Sequence, residues 1–325
     1  KLTLRGIPGD FVQLEYAGTD RLYLPVYRLG EIERYVSADA KPPKLDKMGG
    51  STFEAKTRKV RAEVQQIADE LLQIYAQREA MQGHAYPPGG DILAQFESTF
   101  PFEETPDQQD AIDKVMGDLD RAQPMDRLIC GDVGFGKTEV ALRAAFRVAL
   151  SGKQVAVLAP TTVLVQQHAH TFRERMEPFG VKVGRLNRLV DAKARRETIA
   201  GLRDGNVDVV VGTHRLLGRD VRFKDLGLVI IDEEQRFGVA QKERFKRLKT
   251  QVDVLTLSAT PIPRTLHMSL LGVREISLVM TPPVDRLAIR TYLTRPSDTV
   301  IEEGIRKELA RGGQIFYVVP KIQGI

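Results

Sequence analysis

The chain has 325 residues, of which 42% are hydrophobic and 28% are charged, so a wholly disordered protein is excluded. No apolar run approaches the ~20 residues that a membrane helix needs, and we expect no membrane association. The single cysteine excludes an internal disulfide. Without a secretion leader at its start, the chain is expected in the cytoplasm. A net charge of +5 indicates only a mild preference for anionic partners.

Residues 1–38 show the pattern of a small β module. Apolar and polar residues alternate within 10–16 (DFVQLEY), as in a half-buried strand. Residues 17–20 (AGTD) have turn chemistry, and 21–26 (RLYLPV) read as a second strand. The sequence therefore predicts an antiparallel hairpin, in a module too small for a strong core of its own. Because the chain begins at lysine and ends abruptly, we expect a fragment of a longer protein.

Residues 39–90 are predicted to form a linker and then a long helix. The first part, 39–50, is rich in proline, lysine and glycine. Apolar residues then recur at three- and four-residue steps, at Val60, Val64, Ile67, Leu71 and Ile74. About thirty helical residues would span roughly 45 Å. The pattern fits a rigid connector between modules and a helix packed flat on a core equally well.

The next region, residues 91–283, alternates between apolar runs and helical stretches. The runs lie at 127–130, 154–159, 181–186, 207–211, 228–231 and 252–257. Continuous apolar strands separated by helices predict an α/β domain, with a parallel sheet covered by helices on both faces. Residues 284–325 are predicted to begin a further unit, which the chain does not complete. Its expected elements are a strand near 287–293, a helix near 299–311 and a strand at 314–319.

The strongest chemical motif follows the first of these runs and precedes a helical stretch. It matches G-x-x-x-x-G-K-[ST] and comprises Gly131, Asp132, Val133, Gly134, Phe135, Gly136, Lys137 and Thr138. Glycines allow backbone N–H groups to curl around phosphates, and a helix N-terminus favours negative charge. The motif predicts an ATP site in which Lys137 reaches the β- and γ-phosphates and the Thr138 hydroxyl binds Mg²⁺.

A second motif is the acidic end of the apolar run at 228–231. Asp232 and Glu233 follow it directly. Phosphoryl transfer needs a carboxylate near the metal and a group that orients the attacking water. We assign the Mg²⁺ role to Asp232 and the water-activating role to Glu233. Many strands end in solvated acids, but this one stands about ninety residues after a phosphate loop in the same predicted sheet.

Weaker signals refine the site. Gln108 precedes the first sheet strand, and its amide can read both donor and acceptor positions on an adenine edge. Phe100 or Phe102 is a candidate to pack on the base, and a role in the core fits the pair equally well. Small and hydroxyl residues follow the run at 252–257 and are candidates to couple hydrolysis to bound nucleic acid. These are Ser258, Ala259 and Thr260.

The five histidines show no spacing typical of metal ligands, so we expect no zinc site. His168 and His170 are two residues apart on a predicted helix and therefore do not share a face. The lone Cys130 ends a predicted core strand and is expected to be packed rather than reactive.

Several phrases in fixed order resemble the first motor domain of superfamily 2 helicases and translocases. They are GDVGFGKTEVALRAA, LAPTTVLVQQH, VVVGTHRLL, VIIDEEQRFGV and LSATPIPRTL. The phrases DEEQRFGV and SATPIPRTL are similar to the group that holds the RecG helicases and the bacterial transcription-repair coupling factors. The N-terminal segment GDFVQLEYAGTDRLYLPV and the long helix resemble the coupling-factor family. The resemblance implies a RecA-like motor lobe at 91–283, preceded by a Tudor/CarD-like β module at 1–38 and a connecting helix.

The resemblance also implies site residues at the positions where the motifs match. It assigns the phosphate loop and adenine-reading roles to the residues named above. Backbone contacts to double-stranded DNA would come from Thr161, Thr162, Gln166, Gly212, Thr213 and His214. Short hydroxyl side chains and exposed N–H groups at strand ends suit contact with phosphates independently of sequence.

The function that the resemblance implies is ATP-dependent translocation on double-stranded DNA that displaces stalled RNA polymerase. Residues 1–38 would bind the polymerase, nucleotide-excision repair proteins would bind the parent protein, and ATP and Mg²⁺ would be required. Residues 284–325 would begin a second motor lobe, so weak hydrolysis is expected from the fragment alone. The alternatives are a branched-DNA helicase and a docking scaffold whose motor lobe only binds nucleotide.

Overall fold

The structure is a computed structural model. It describes residues 2–4, 7–18, 20–32, 81–237, 252–259, 274–284, 291–295 and 297–318, and the single positions 45, 47, 58, 76 and 286. The chain divides into two compact units, Lys1–Pro282 and Pro283–Ile325. In the described part of the chain, no helix combines the length and the apolar character needed to cross a bilayer.

The N-terminal residues form two short antiparallel hairpins. Strands β1 (Leu2–Leu4) and β2 (Ile7–Gly9) make the first, which the sequence analysis missed. The predicted hairpin is confirmed by β3 (Phe11–Glu15) and β4 (Arg21–Pro25), in which Val12 lies opposite Leu24. A 3-10 helix follows at Val26–Glu31. The predicted long helix lies outside the described residues, except that positions 58 and 76 are helical.

A seven-stranded parallel sheet forms the centre of the first unit, in the order β11-β5-β10-β9-β6-β8-β7. Its strands are β5 (Asp126–Gly131), β6 (Gln154–Leu158), β7 (Val183–Leu186), β8 (Val209–Gly212), β9 (Leu226–Asp232), β10 (Asp253–Ser258) and β11 (Glu275–Val279). All six apolar runs are strands, which confirms the predicted α/β class. Strand β11 was not predicted; it is a short strand of mixed exposure that pairs with β5 alone at the edge of the sheet.

Helices accompany the strands: α1 (Gly90–Ser98), α2 (Pro106–Leu119), α3 (Lys137–Leu150), α4 (Thr162–Met176) and α5 (Ala192–Asp204). Short 3-10 turns lie at Glu177–Phe179, His214–Leu217 and Glu234–Arg236. Helix starts are fixed locally. Thr105 forms a reciprocal capping box with Gln108 at the start of α2, and the Asp191 carboxylate accepts two backbone N–H groups at the start of α5.

Two hydrophobic clusters cover the two faces of the sheet. Val155 and Val157 of β6 belong to the larger cluster, whereas Ala156 and Leu158 belong to the smaller one. Because successive side chains of a strand point to opposite faces, a strand buried on both faces is apolar throughout. This explains why the strands of the sheet appear in the sequence as continuous apolar runs.

The second unit contains helix α6 (Asp298–Ala310), at the predicted position. The strand predicted at 314–319 is wrong, because its described residues 314–318 have no regular secondary structure. Phe316 is 88% exposed there, and among the described residues no strand pairs with this run. A strand needs partners for its backbone N–H and C=O groups, which an apolar run alone does not provide. Of the strand predicted near 287–293, the described residues 291–293 are also irregular, and 287–290 lie outside the described part.

Candidate nucleotide-binding site

The two chemical motifs meet at one edge of the sheet, where the parallel strands end. Strand β10 lies between β5 and β9. Its Ser258 is opposite Cys130, and its Leu257 is opposite Asp232. The phosphate loop that begins at Gly131 and the acidic pair after β9 are therefore separated by the width of one strand. Ligands of open α/β sheets bind at this carboxyl edge.

The backbone of the phosphate loop needs its glycines. Gly134 and Gly136 have φ angles of +81° and +77°, in the left-handed region that disfavours other residues. A Cβ atom on Gly136 would lie 2.3 Å from Gln108 Nε2, so the loop also passes too close to its neighbour for a side chain. Between the two glycines, Phe135 is buried in the larger core cluster and anchors the loop.

Lys137 begins helix α3 and curls back over the loop. Its ammonium donates hydrogen bonds to the carbonyl oxygens of Gly131 at 2.6 Å and Asp132 at 2.9 Å. Burial lowers the pKa of Lys137, and the nearby carboxylates of Asp232 and Glu233 oppose this shift. Both acids of the second motif therefore interact electrostatically with the lysine. Thr138 follows it in the first turn of α3.

Glu233 leaves the strand in an unusual backbone conformation. Among the described residues it is the only non-glycine with a positive φ, at +52°. Its N–H donates to the Leu257 carbonyl at 2.9 Å, and its carboxylate accepts the Ala259 N–H at 3.1 Å. Such a strained conformation persists only where the surroundings hold it, and it is typical of functional sites. The contact joins the acidic motif to the predicted coupling segment, of which Ser258 is buried and Thr260 lies outside the described residues.

His168 completes the surroundings of Asp232. Its Nε2 lies 2.8 Å from Asp232 Oδ2, and both side chains are largely buried. His168 was not among the predicted site residues. The available signal was its position on α4, three residues after the buried Val165 and four before the buried Phe172, which places it beside the core-facing stripe.

Gln108 lies beside the loop, and both ends of its amide are used within the protein. Its Oε1 accepts the Thr105 N–H at 2.9 Å, and its Nε2 donates to the Phe135 carbonyl at 2.9 Å. The adenine-reading role stays a prediction. Of the two phenylalanines, Phe102 is exposed, whereas Phe100 lies within 6 Å of the guanidinium groups of Arg143 and Arg175.

The residues predicted to contact DNA come from two neighbouring strand ends. Strands β6 and β8 pair so that Leu158 lies opposite Gly212, which brings the two segments together. Thr161 caps α4 by accepting the Leu164 N–H at 3.2 Å, and Thr213 accepts the Arg215 N–H at 3.4 Å. Within these segments Thr161, Gln166 and His214 are exposed, Thr162 is half-buried, and Gly212 and Thr213 are buried. The DNA contacts themselves stay a prediction.

The donor set at the carboxyl edge fits a Mg²⁺-bound nucleoside triphosphate. Magnesium is usually held by one or two protein oxygens together with phosphates and water, and Thr138 and Asp232 would provide the protein oxygens. The loop provides backbone N–H groups at a helix N-terminus, and Lys137 provides the positive charge. The fit rests on the strand pairing that brings Asp232 beside the phosphate loop and on the glycine conformations of the loop.

Comparison with known families agrees with this geometry. The DEAD/DEAH box helicase model matches residues 105–269, which is half of the chain. The CarD-like/TRCF RID domain model matches residues 1–36, the segment that contains both N-terminal hairpins. The two matches correspond to the motor lobe and the small β module.

Comparison with individual proteins agrees with the two family matches. The chain is 50% identical over 324 residues to a transcription-repair-coupling factor of Bacillus subtilis, with 100% of this chain and 28% of that protein covered. It is 52% identical over 325 residues to the Myxococcus xanthus protein of that name, covering 100% of this chain and 27% of the relative. A structure of RecG bound to a three-way DNA junction matches with a TM-score of 0.64 and 36% identity, covering 78% of this chain and 35% of RecG. The chain thus spans little more than a quarter of the curated relatives, and it belongs to the DEAD/DEAH box helicase family.

Proposed function

We propose that the chain is the polymerase-docking module and first motor lobe of an ATP-dependent translocase on double-stranded DNA. In the full-length parent this translocase would displace stalled RNA polymerase and couple transcription to repair. One observation carries the motor proposal: the phosphate loop and the acids Asp232 and Glu233 meet beside the same β-strand. The similarity to transcription-repair-coupling factors along the whole chain supports the biological role.

In the proposed reaction each motif has one task. Backbone N–H groups of residues 131–137 and the Lys137 ammonium bind the phosphates of ATP and stabilise the charge on the transferred group. Thr138 and Asp232 would hold Mg²⁺, which neutralises charge on the β- and γ-phosphates when it is bound. Glu233 orients a water molecule and accepts its proton as the water attacks the γ-phosphorus. The bond from this phosphorus to the β–γ bridging oxygen breaks, and ADP leaves with that oxygen. The hydrogen bond that the Ala259 N–H donates to the Glu233 carboxylate provides a link to the coupling segment.

DNA is proposed to contact the adjacent strand ends. The N-terminus of α4, with Thr161 and Thr162, presents N–H and hydroxyl groups that suit phosphate oxygens, and the adjacent turn places the exposed His214 directly after the buried Thr213. Gln166 lies one turn further along α4 and is exposed. Contacts of this kind read the backbone rather than the bases, which suits an enzyme that moves along any sequence.

Residues 1–38, which form the small β module, are proposed to bind RNA polymerase by strand pairing at an exposed edge of the module. The match of residues 1–36 to the CarD-like/TRCF RID domain supports this assignment. The β3–β4 hairpin and the following 3-10 helix expose large apolar side chains, among them Leu22, Val26, Leu29 and Tyr27, which is 87% exposed. Such side chains provide the apolar contacts of a protein interface.

Residues 284–325 are proposed to begin a second motor lobe. A second lobe would provide an arginine finger, which is worth about 10³–10⁵ in rate in related phosphoryl transfer. We therefore expect the isolated chain to bind ATP but to hydrolyse it weakly. In the parent protein, nucleotide-excision repair proteins are the expected further partners, and a cytoplasmic location is expected.

A branched-DNA helicase is the second candidate, favoured by the similarity to RecG bound to a three-way junction. A docking scaffold that only binds nucleotide is the third. Unwinding of junctions by the parent protein without displacement of polymerase would favour the second candidate. A parent protein that binds ATP and polymerase but shows no ATPase activity with duplex DNA would favour the third.

The proposed function is tested by separating the two halves of the chain. We expect Lys137→Ala to abolish ATP binding by the chain, and ATP-driven movement by the parent, while retention of RNA polymerase is unchanged. Polymerase retention is measured by pull-down. A chain that fails to retain polymerase contradicts the docking role. Unchanged ATP affinity in Lys137→Ala contradicts the nucleotide site, and robust DNA-stimulated turnover by the isolated chain contradicts the need for a second lobe.

A further inference from the structure

We propose that His168 is a positioning residue that orients the Asp232 carboxylate for metal binding. The inference rests on the proposed function, in which Asp232 helps to hold Mg²⁺. His168 stands on helix α4, outside both the phosphate loop and the acidic motif. Its Nε2 is 2.8 Å from Asp232 Oδ2, a distance typical of a charge-assisted hydrogen bond from an imidazole N–H.

Packing holds the imidazole in place. The His168 side chain is 12% exposed and the Asp232 side chain 13%, so water competes little for their contact. The Phe172 ring, one turn further along α4, meets the imidazole edge-on, with ring centroids 6.5 Å apart and an interplanar angle of 88°. Phe172 is fully buried in the core. The imidazole is thus held between the core and the acid.

The hydrogen bond has a direct consequence for a metal-binding carboxylate. An N–H donor on one oxygen fixes the rotation of the carboxylate and leaves the other oxygen for the metal or its bound water. Such partners are typical of metal sites, and their loss costs about 10–100-fold in metal affinity. The same helix carries the proposed DNA contacts Thr161, Thr162 and Gln166, so α4 contributes to both the DNA surface and the metal acid.

Helix α4 also provides a matched control. His170 is two residues further along and points away from the site, with a side chain that is 73% exposed. Its only ion pair among the described residues is with Glu174 of the next turn, at 3.4 Å. Replacing His170 removes the same chemical group from the same helix without touching Asp232.

The test measures metal binding directly, with Mn²⁺ in place of Mg²⁺ and an ATP analogue that is not hydrolysed. Electron paramagnetic resonance measures how much Mn²⁺ is bound to the complete 325-residue chain. We expect His168→Leu to weaken Mn²⁺ binding in the nucleotide complex by about 10–100-fold. Nucleotide affinity in EDTA should be unchanged. His168→Gln should restore most of the metal affinity, because its amide nitrogen reaches nearly the position of Nε2, and His170→Gln should match the wild type.

Three results would overturn the inference. The first is wild-type Mn²⁺ affinity in His168→Leu. The second is a His168→Leu protein whose nucleotide affinity falls equally in Mn²⁺ and in EDTA, which would mean that the histidine only supports the fold. Thermal melting of the same variants checks this. The third is a His168→Gln protein that binds Mn²⁺ as weakly as His168→Leu does. Failure of the proposed function is a separate result: the wild-type chain would then show no metal-dependent nucleotide binding, or Lys137→Ala would leave that binding intact.

Discussion

Replacing Gly136 by alanine should destabilise the protein more than the same replacement at Gly152. Both glycines have left-handed backbones, with φ angles of +77° and +83°. An alanine in this conformation costs roughly 1–2 kcal/mol. At Gly152, just after helix α3, a new Cβ would meet nothing within 4 Å, so the backbone cost is the whole effect.

At Gly136 the new methyl group would also collide with Gln108, whose Nε2 would be 2.3 Å away. Gln108 is only 4% exposed, and its amide is held by Thr105 and by the Phe135 carbonyl. Moving the amide leaves at least one buried backbone group without its partner, at a cost of about 1–3 kcal/mol. The total for Gly136→Ala is therefore about 2–5 kcal/mol, which a domain of ordinary stability survives.

Equilibrium urea denaturation of the two variants measures the difference. We expect Gly136→Ala to lose about 1–3 kcal/mol more than Gly152→Ala. In a Gln108→Ala background the collision is absent, so Gly136→Ala should cost no more than Gly152→Ala does. A double-mutant cycle of this kind isolates the contact between the two residues. Equal losses for the two glycine variants, or a Gly136 cost that is independent of Gln108, would show that the collision with Gln108 does not contribute to the loss of stability.

Two further predictions concern buried polar groups. Burial and the neighbouring Asp253 raise the pKa of Tyr86 far above its ordinary value of 10.0, and its hydroxyl donates to Asp253 at 2.9 Å. Because only the unfolded chain then loses this proton, stability should fall as pH rises above about 10, and a pH series of denaturation curves should show a shallower fall in Tyr86→Phe. Arg143 is 4% exposed and donates to Glu139 at 3.0 Å, and Arg175 also donates to this carboxylate at 2.8 Å, so Arg143→Leu removes one of two partners and should cost about 1–3 kcal/mol. Replacing the exposed Lys114, which pairs with Asp110 on the same helix, is the control. Loss of such an exposed pair should cost less than about 0.5 kcal/mol in the same urea assay.

Local patterns predicted much of the fold. The continuous apolar runs identified six of the seven strands of the sheet, because burial on both faces leaves no room for alternation. The exception, β11, pairs with one neighbour at the edge and has mixed exposure, so its sequence carries a weaker signal. The apolar run at 314–319 shows the opposite error, since its described residues form no strand although their sequence favours one.

Residue patterns alone predict the phosphate loop and the acidic strand end, because both depend on local chemistry. Glycines permit left-handed backbone, a lysine opens the helix, and acids follow a buried strand. Tertiary structure decided which side chains support them. The His168–Asp232 contact joins residues 64 positions apart, and the Gln108–Phe135 bond joins residues 27 positions apart. Such pairs depend on strand order and on how helices pack across the sheet, which a pattern of neighbouring residues does not encode.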